Sequence, residues 1–346
     1  VPGDFDAIRT AVDAAERTSN LEAAQAADQI ETLTAALAAK DATIADLTQR
    51  LADCEDGNDE PPPPAGKGRA LIGSSAPVDV WNARKQAVEA FGGKYEARRL
   101  FGRPMSDDLS APLRVCAQQG TVPVLSLKPE PYTWAQIAAG QADALLRTQA
   151  QRIKAAWGNA AFYFVISHEP GKIELGPATG EGGPAKDFTP MLLHAKQVLR
   201  PILPNVQVGP IMNGWMNSAQ ARGFSDAEFE VWLPKALIGN LDFIGADDYN
   251  NKTGEKAVTR IQRRVAWRER VGYKGPLGIG ETNAWTADDL ASVFNFVKHE
   301  QAFNGGFVLV WDSVKENPKP DDFRPLAETG LVDDMGRIVA AWHDDD

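Results

Sequence analysis

From residue 70 onward the sequence alternates eight times between a short apolar run and a helical stretch. The runs are 70–73, 97–101, 122–127, 162–168, 206–212, 242–249, 276–281 and 306–312. Amphipathic segments such as 135–157, 187–200, 226–239, 257–271 and 286–300 lie between them. Strands alternating with helices predict a parallel sheet. Eight such units fit a closed (β/α)8 TIM barrel, for which about 250 residues are usual. An open doubly wound sheet would carry a Gly-rich phosphate loop after its first strand, and none stands there. An α/β barrel is therefore expected over 70–346.

The first 60 residues are a different object. They hold 14 Asp+Glu against 4 Lys+Arg, while the whole chain carries 47 against 36 and a net charge of −11. Nearly all of the charge imbalance sits in this segment, and all nine Trp follow it. Neither part has a basic patch, which argues against nucleic acid as a partner. No apolar run approaches the roughly 18 residues of a membrane helix, so membrane insertion is not expected. Cys54 and Cys116 are too few for a disulfide framework, and no Cys/His spacing resembles a zinc site. Cys116 reads as a small core residue. No metal or cofactor is expected, and no secretory signal is visible.

Within residues 1–54 a heptad seam emerges. Ile30, Leu37, Ile44 and Leu51 take its a positions, and Leu33, Lys40, Leu47 and Cys54 its d positions. Towards the N-terminus the seam thins to Ala26 and Ala23, then reaches Ser19 across a four-residue stutter. A lone Ala-rich helix is marginal in water, so residues 12–54 are expected to form a parallel coiled coil and a homo-oligomer. Mixed Ile and Leu at a does not decide between dimer and trimer. Residues 55–69 form an acidic linker whose Pro61–Pro64 run extends as a semi-rigid spacer.

A (β/α)8 barrel works at the C-terminal ends of its strands. Those ends are rich in polar and aromatic residues: Lys128 on the third, His168 and Glu169 on the fourth, Asn213 and Trp215 on the fifth. Asp248 and Tyr249 follow on the sixth, Glu281 and then Trp285 after the seventh, and Trp311 on the eighth. Strand alternation groups Val165, Ser167 and Glu169 on one side, and the bulky Phe162, Phe164 and Ile166 on the other. Glu169 is therefore expected to point inward. The same reasoning groups Leu277, Ile279 and Glu281 inward, with Gly278 and Gly280 facing the helices. Strands four and seven lie roughly opposite, so the two glutamates can face each other over a sugar ring. One protonated and one ionised carboxyl is what cleavage of a glycosidic bond requires. His168 reads as a polar orienter, and His168, Lys128, Asn213, Trp215, Asp248, Tyr249, Trp285 and Trp311 as substrate-binding residues.

Glu on strands four and seven, with Tyr on strand six and Trp on strand eight, resembles the clan A glycoside hydrolases. The pair His168-Glu169 looks like family 26 among them. This resemblance covers roughly 70–345. It implies that Glu169 is the general acid/base, Glu281 the nucleophile, Tyr249 a hydrogen-bond donor to the nucleophile and Trp311 a sugar platform. The sequence departs from that pattern at Val165, where an Arg is common, and in Pro170-Gly171 and the stretch 176–183 after the acid. Mannan specificity does not carry over.

The rod and Pro-rich linker ahead of such a barrel resemble minor tail proteins of bacteriophages. That architecture implies a trimer, possible contacts with other phage tail proteins, and a place at the virion tail tip facing a cell-envelope glycan. Secreted bacterial hydrolases share the linker, so an extracellular bacterial protein is the alternative. Two functions stay open: an endo-acting retaining glycosidase on a polysaccharide, or a non-catalytic glycan-binding or structural tail head.

Overall fold

The computed structural model describes residues 9–10, 69–218, 224–250, 254–312 and 326–343. All of these except Arg9 and Thr10 belong to the second of the two units into which the chain divides, residues 61–346. The coiled-coil expectation for 12–54, Cys54 and nearly all of the linker lie outside the described residues.

The strands occur where the apolar runs predict them. They are Leu71–Ser74, Ala97–Gly102, Val122–Leu127, Phe162–Ile166, a fifth in two pieces, Ile244–Asp248, Leu277–Thr282 and Phe307–Val310. All pair in parallel. The pieces of the fifth strand are Val206–Val208, which pairs with the fourth strand, and Ile211–Asn213, which pairs with the sixth. These pieces are the two ends of the sheet order, so the chain crossing from one to the other closes the barrel. The crossing falls at Gly209-Pro210. A Cβ at Gly209 would lie 2.1 Å from the Phe243 carbonyl oxygen, so only glycine lets the fifth strand pass that close.

Two of the expected helices are broken. Residues 135–157 form Trp134–Ala138 and Asp143–Trp157, and 226–239 form Asp226–Trp232 and Lys235–Ile238. Pro234 causes the second break, because a proline cannot continue the ladder. The segment 257–271 is one helix, Ala257–Val271, as its periodicity predicts.

Alternation sorts the core into two layers. Phe162, Phe164 and Ile166 pack outward against the helices, while Tyr163 and Val165 face the interior. At the bottom of the barrel Tyr163 of strand four, Phe243 just before strand six and Phe307 of strand eight meet edge to face at 4.7–5.4 Å between centroids. The Tyr163 hydroxyl donates to the Gly305 carbonyl at 2.7 Å. Each such aromatic pair contributes about 0.5–1.5 kcal/mol beyond its area, so the bottom is a firm plug. Access is left to the C-terminal mouth.

The seventh strand overturns its predicted facing. Leu277 and Ile279 belong to the outer, helix-facing core. Gly278 and Gly280 face inward instead: a Cβ on Gly278 would meet the Phe307 ring at 2.7 Å, and one on Gly280 would meet Asp247 Oδ1 at 2.4 Å. Plain alternation would then turn Glu281 outward. A bulge prevents this, because Ile279 pairs with Ala246 while Glu281, two residues on, pairs with Asp247, only one residue on. The extra residue re-aims the strand end, and Glu281 joins the mouth.

Candidate active site

Strand four ends at Ile166, two residues short of the expected 168, and Glu169 is positioned by a turn instead of by alternation. Ser167 and Glu169 both adopt left-handed backbone, with φ of 61° and 49°. Such conformations cost on the order of 1–3 kcal/mol each in non-glycine residues and persist only where neighbours fix them. Here Ser167 N–H donates to the Leu127 carbonyl and Glu169 N–H to the Ile211 carbonyl, both at 2.8 Å. Lys128 Nζ donates to the His168 carbonyl at 2.9 Å. The third and fifth strands therefore clamp the turn that presents Glu169.

Tyr249 donates its phenolic hydrogen bond to Oε2 of Glu281. Burial, and then the charge of Glu281, hold the Tyr249 hydroxyl well above its usual pKa, so it stays a donor. Its ring packs edge to face on Trp311 at 5.4 Å. Glu281 and Trp311 line a cleft of about 430 Å³ together with His168 and Arg99.

Arg99 is the residue that sequence reasoning missed. It rises inside the barrel from strand two, fully buried, and donates to Asp247 Oδ1 at 2.7 Å and to Ser126 Oγ at 3.2 Å. Its Nη1 also lies 3.9 Å from Glu281 Oε2. Burial opposes its charge, but Asp247 and Glu281 outweigh that and raise its pKa. The signal was available: a buried strand reading Ala97-Arg98-Arg99-Leu100-Phe101 must turn one arginine inward, where it needs an acidic partner. Arg98 turns outward, 4.4 Å from the Trp81 ring centroid.

Asp247 and Glu281 share one buried guanidinium, and Glu169 feels its charge together with those of Lys128 and Lys172. Carboxylates this close in a poorly solvated site repel one another, which favours the protonated form within the group. Glu169 has a raised pKa, first from burial and second from the charge of Glu281, with Arg99, Lys128 and Lys172 pulling the other way. Asp247 is raised well above its usual range by burial, with both glutamates adding to the effect and Arg99 opposing. His168 is pushed well below its usual pKa by burial and the surrounding cations, so it is neutral.

The remaining candidates divide. Asn213 is buried and its Oδ1 accepts from Gly171 N–H at 2.8 Å, tying down the loop after Glu169. Lys128 also pairs with Glu181 at 2.7 Å. Trp215 packs on Phe224 at 5.2 Å, and Trp285 Nε1 donates to the Asn250 carbonyl at 3.0 Å. Asp248 does not belong to the mouth, which corrects its expected role. It is fully buried and its carboxylate is clamped by Arg264 Nη2 at 2.6 and 2.7 Å, on the helix side. The inward carboxylate of strand six is Asp247. Among the described residues no group of three or more His, Cys, Asp or Glu could hold a metal, and no helix is long and apolar enough to cross a membrane.

The fold and its mouth define a (β/α)8 barrel with paired carboxylates at the ends of strands four and seven. No protein-family model matches the sequence, and no curated protein matches it. Solved structures do. The chain is similar to fungal β-1,4-galactanases with a TM-score of 0.51 and 12% identity, over 70% of this chain and 89% of theirs. It is similar to XacCel5A with a TM-score of 0.51 and 14% identity, over 79% and 99%. A glucosidase from Croceicoccus marinus matches with a TM-score of 0.53 and 14% identity, over 80% and 68%. At such identities the likeness is one of fold.

Proposed function

We propose that this protein is an endo-acting retaining glycosidase that hydrolyses a cell-envelope or plant-type polysaccharide. The observation that carries this reading is the pairing of a carboxyl with raised pKa, Glu169, with a second carboxylate, Glu281, oriented by Tyr249. In the first step Glu281 attacks the anomeric carbon through Oε1, the oxygen that Tyr249 does not hold. Glu169 gives its proton to the departing glycosidic oxygen. The covalent ester neutralises Glu281, and its repulsion of Glu169 disappears. Glu169, now ionised, takes a proton from water as that water attacks the same carbon and frees Glu281. Tyr249 holds the nucleophile's orientation throughout.

The heptads and Pro-rich linker support a further placement, as the sugar-active head of a trimeric phage minor tail protein at the virion tail tip. That support comes from sequence alone. A reducing-sugar screen and a glycan array on the full chain, with Glu281→Gln as control, test the activity. Hydrolysis lost in the control supports the glycosidase. Specific binding without hydrolysis in the parent would show a binding head instead.

A further inference from the structure

The cleft beside Glu281 extends over the ends of the first and second strands, where Ala76, Pro77, Val78, Leu109 and Pro112 line it. One aromatic ring stands out of that wall. Phe101, near the end of strand two, is 42% exposed and belongs to neither the barrel interior nor the helix-facing core. Val78, in the same cleft, is 62% exposed. Two exposed apolar side chains in one cleft at the mouth of a barrel, one of them an aromatic ring, form a patch suited to binding.

The ring is nonetheless fixed. The Arg99 guanidinium lies 4.6 Å from its centroid, and the His168 ring meets it edge to face at 5.2 Å. Arg99 is itself pinned by Asp247 and Ser126, so the ring stands on a rigid pedestal. One face covers a buried cation and the rest opens to the cleft. The same guanidinium reaches Glu281, which puts the ring and the reacting carboxylate on one support. Pro77 and Pro112 have no backbone N–H, and Ala76, Val78 and Leu109 add only apolar side chains, so on this wall Ser75 is the one hydroxyl-bearing residue. This lobe therefore grips the C–H face of a sugar in preference to its hydroxyl pattern.

Resting on the glycosidase reading, we infer that Phe101 is a substrate-binding platform on which a pyranose ring of the polysaccharide stacks, next to the bond that Glu169 and Glu281 act on. Stacking needs a flat face held at a set height. Leucine would still cover Arg99 but would present no such face, and tryptophan would present a larger one.

The test uses the full chain carrying Glu281→Gln, so that bound sugars are not cleaved. Its probes are oligosaccharides of β-1,4-galactan, β-1,4-glucan, β-1,3-glucan and β-1,4-mannan, titrated calorimetrically. Phe101→Ala should raise Kd about tenfold for those that bind, Phe101→Leu nearly as much, and Phe101→Trp should stay within about twofold of the parent. Melting temperatures should stay close to the parent's. Parent-like binding by Phe101→Leu would overturn the platform, because the ring would then act only as a cover for Arg99. Parent-like binding by Phe101→Ala, with hydrolysis intact in the unmutated chain, would overturn it and leave the glycosidase standing. If the unmutated chain neither bound nor cleaved any probe, both would fall.

Discussion

Tyr249 and Glu281, on neighbouring strands, are joined by a hydrogen bond from phenol to carboxylate, and Tyr249 in turn packs on Trp311. The carboxylate is thereby held by one oxygen and left reactive at the other. A charge-assisted bond of this kind contributes about 1.5–3 kcal/mol. Tyr249→Phe should therefore lower kcat by roughly ten- to a hundredfold on any polysaccharide the parent cleaves. Steady-state kinetics check this, with circular dichroism showing that the variant is folded.

The raised pKa of Glu169 gives a pH dependence with a definite sign. As a general acid it must be protonated in the free enzyme, so kcat/KM should fall as pH rises through its pKa. Replacing Glu281 with Gln removes one of the two causes of the shift and should move the Glu169 titration to lower pH, read by carbon-13 NMR of labelled glutamate. Burial should keep part of the shift in that variant.

Stability follows the same linkage. A carboxyl whose folded pKa is raised contributes its full stability below the unfolded pKa and loses it as pH rises through the folded one. Glu169→Gln should therefore raise the melting temperature relative to the parent more at pH 8 than at pH 4. Thermal scans at both pH values measure the difference, and an equal effect at both would contradict it.

Asp248 should behave as a structural residue. Its bidentate partner Arg264 is buried, and removing one member of such a pair costs about 3–5 kcal/mol. Asp248→Ala should show that loss in denaturant unfolding, while its folded fraction binds glycan as the parent does. Gly280→Ala should destabilise by about 1–3 kcal/mol and also disturb the site, since the added methyl meets Asp247, Arg99 and Ile211 within 2.8 Å.

The assembly expectation has its own check. Light scattering on the full chain should report an oligomer, and a truncated chain starting at Gly66 should be monomeric. A monomeric full chain at micromolar concentration would remove the coiled coil.

Much of the barrel was legible because its signals are local. Phe162, Phe164 and Ile166 face the helices as their alternation with Tyr163 and Val165 predicts. The third strand matches its predicted bounds, Val122–Leu127. What could not be read depends on register between strands. The bulge after Ile279 exists only against the sixth strand, so alternation within strand seven brought Glu281 inward for the wrong reason. The left-handed turn at Ser167 and Glu169 is set by carbonyls of Leu127 and Ile211, far away in sequence. Asp247 and Asp248 are adjacent acids, and only the helix carrying Arg264 shows which one faces out. Arg99 could have been read, since an arginine pair in a buried strand demands a partner on each side.

The central claim is that Glu169 and Glu281 cleave a glycosidic bond with retention. Proton NMR of the reducing-end anomers, followed from the first minutes of digestion by the full chain, tests it most directly. The account predicts a first product with the anomeric configuration of the bond that was cut, and no product from Glu281→Gln. A first product of inverted configuration, or undiminished hydrolysis by Glu281→Gln, would contradict it.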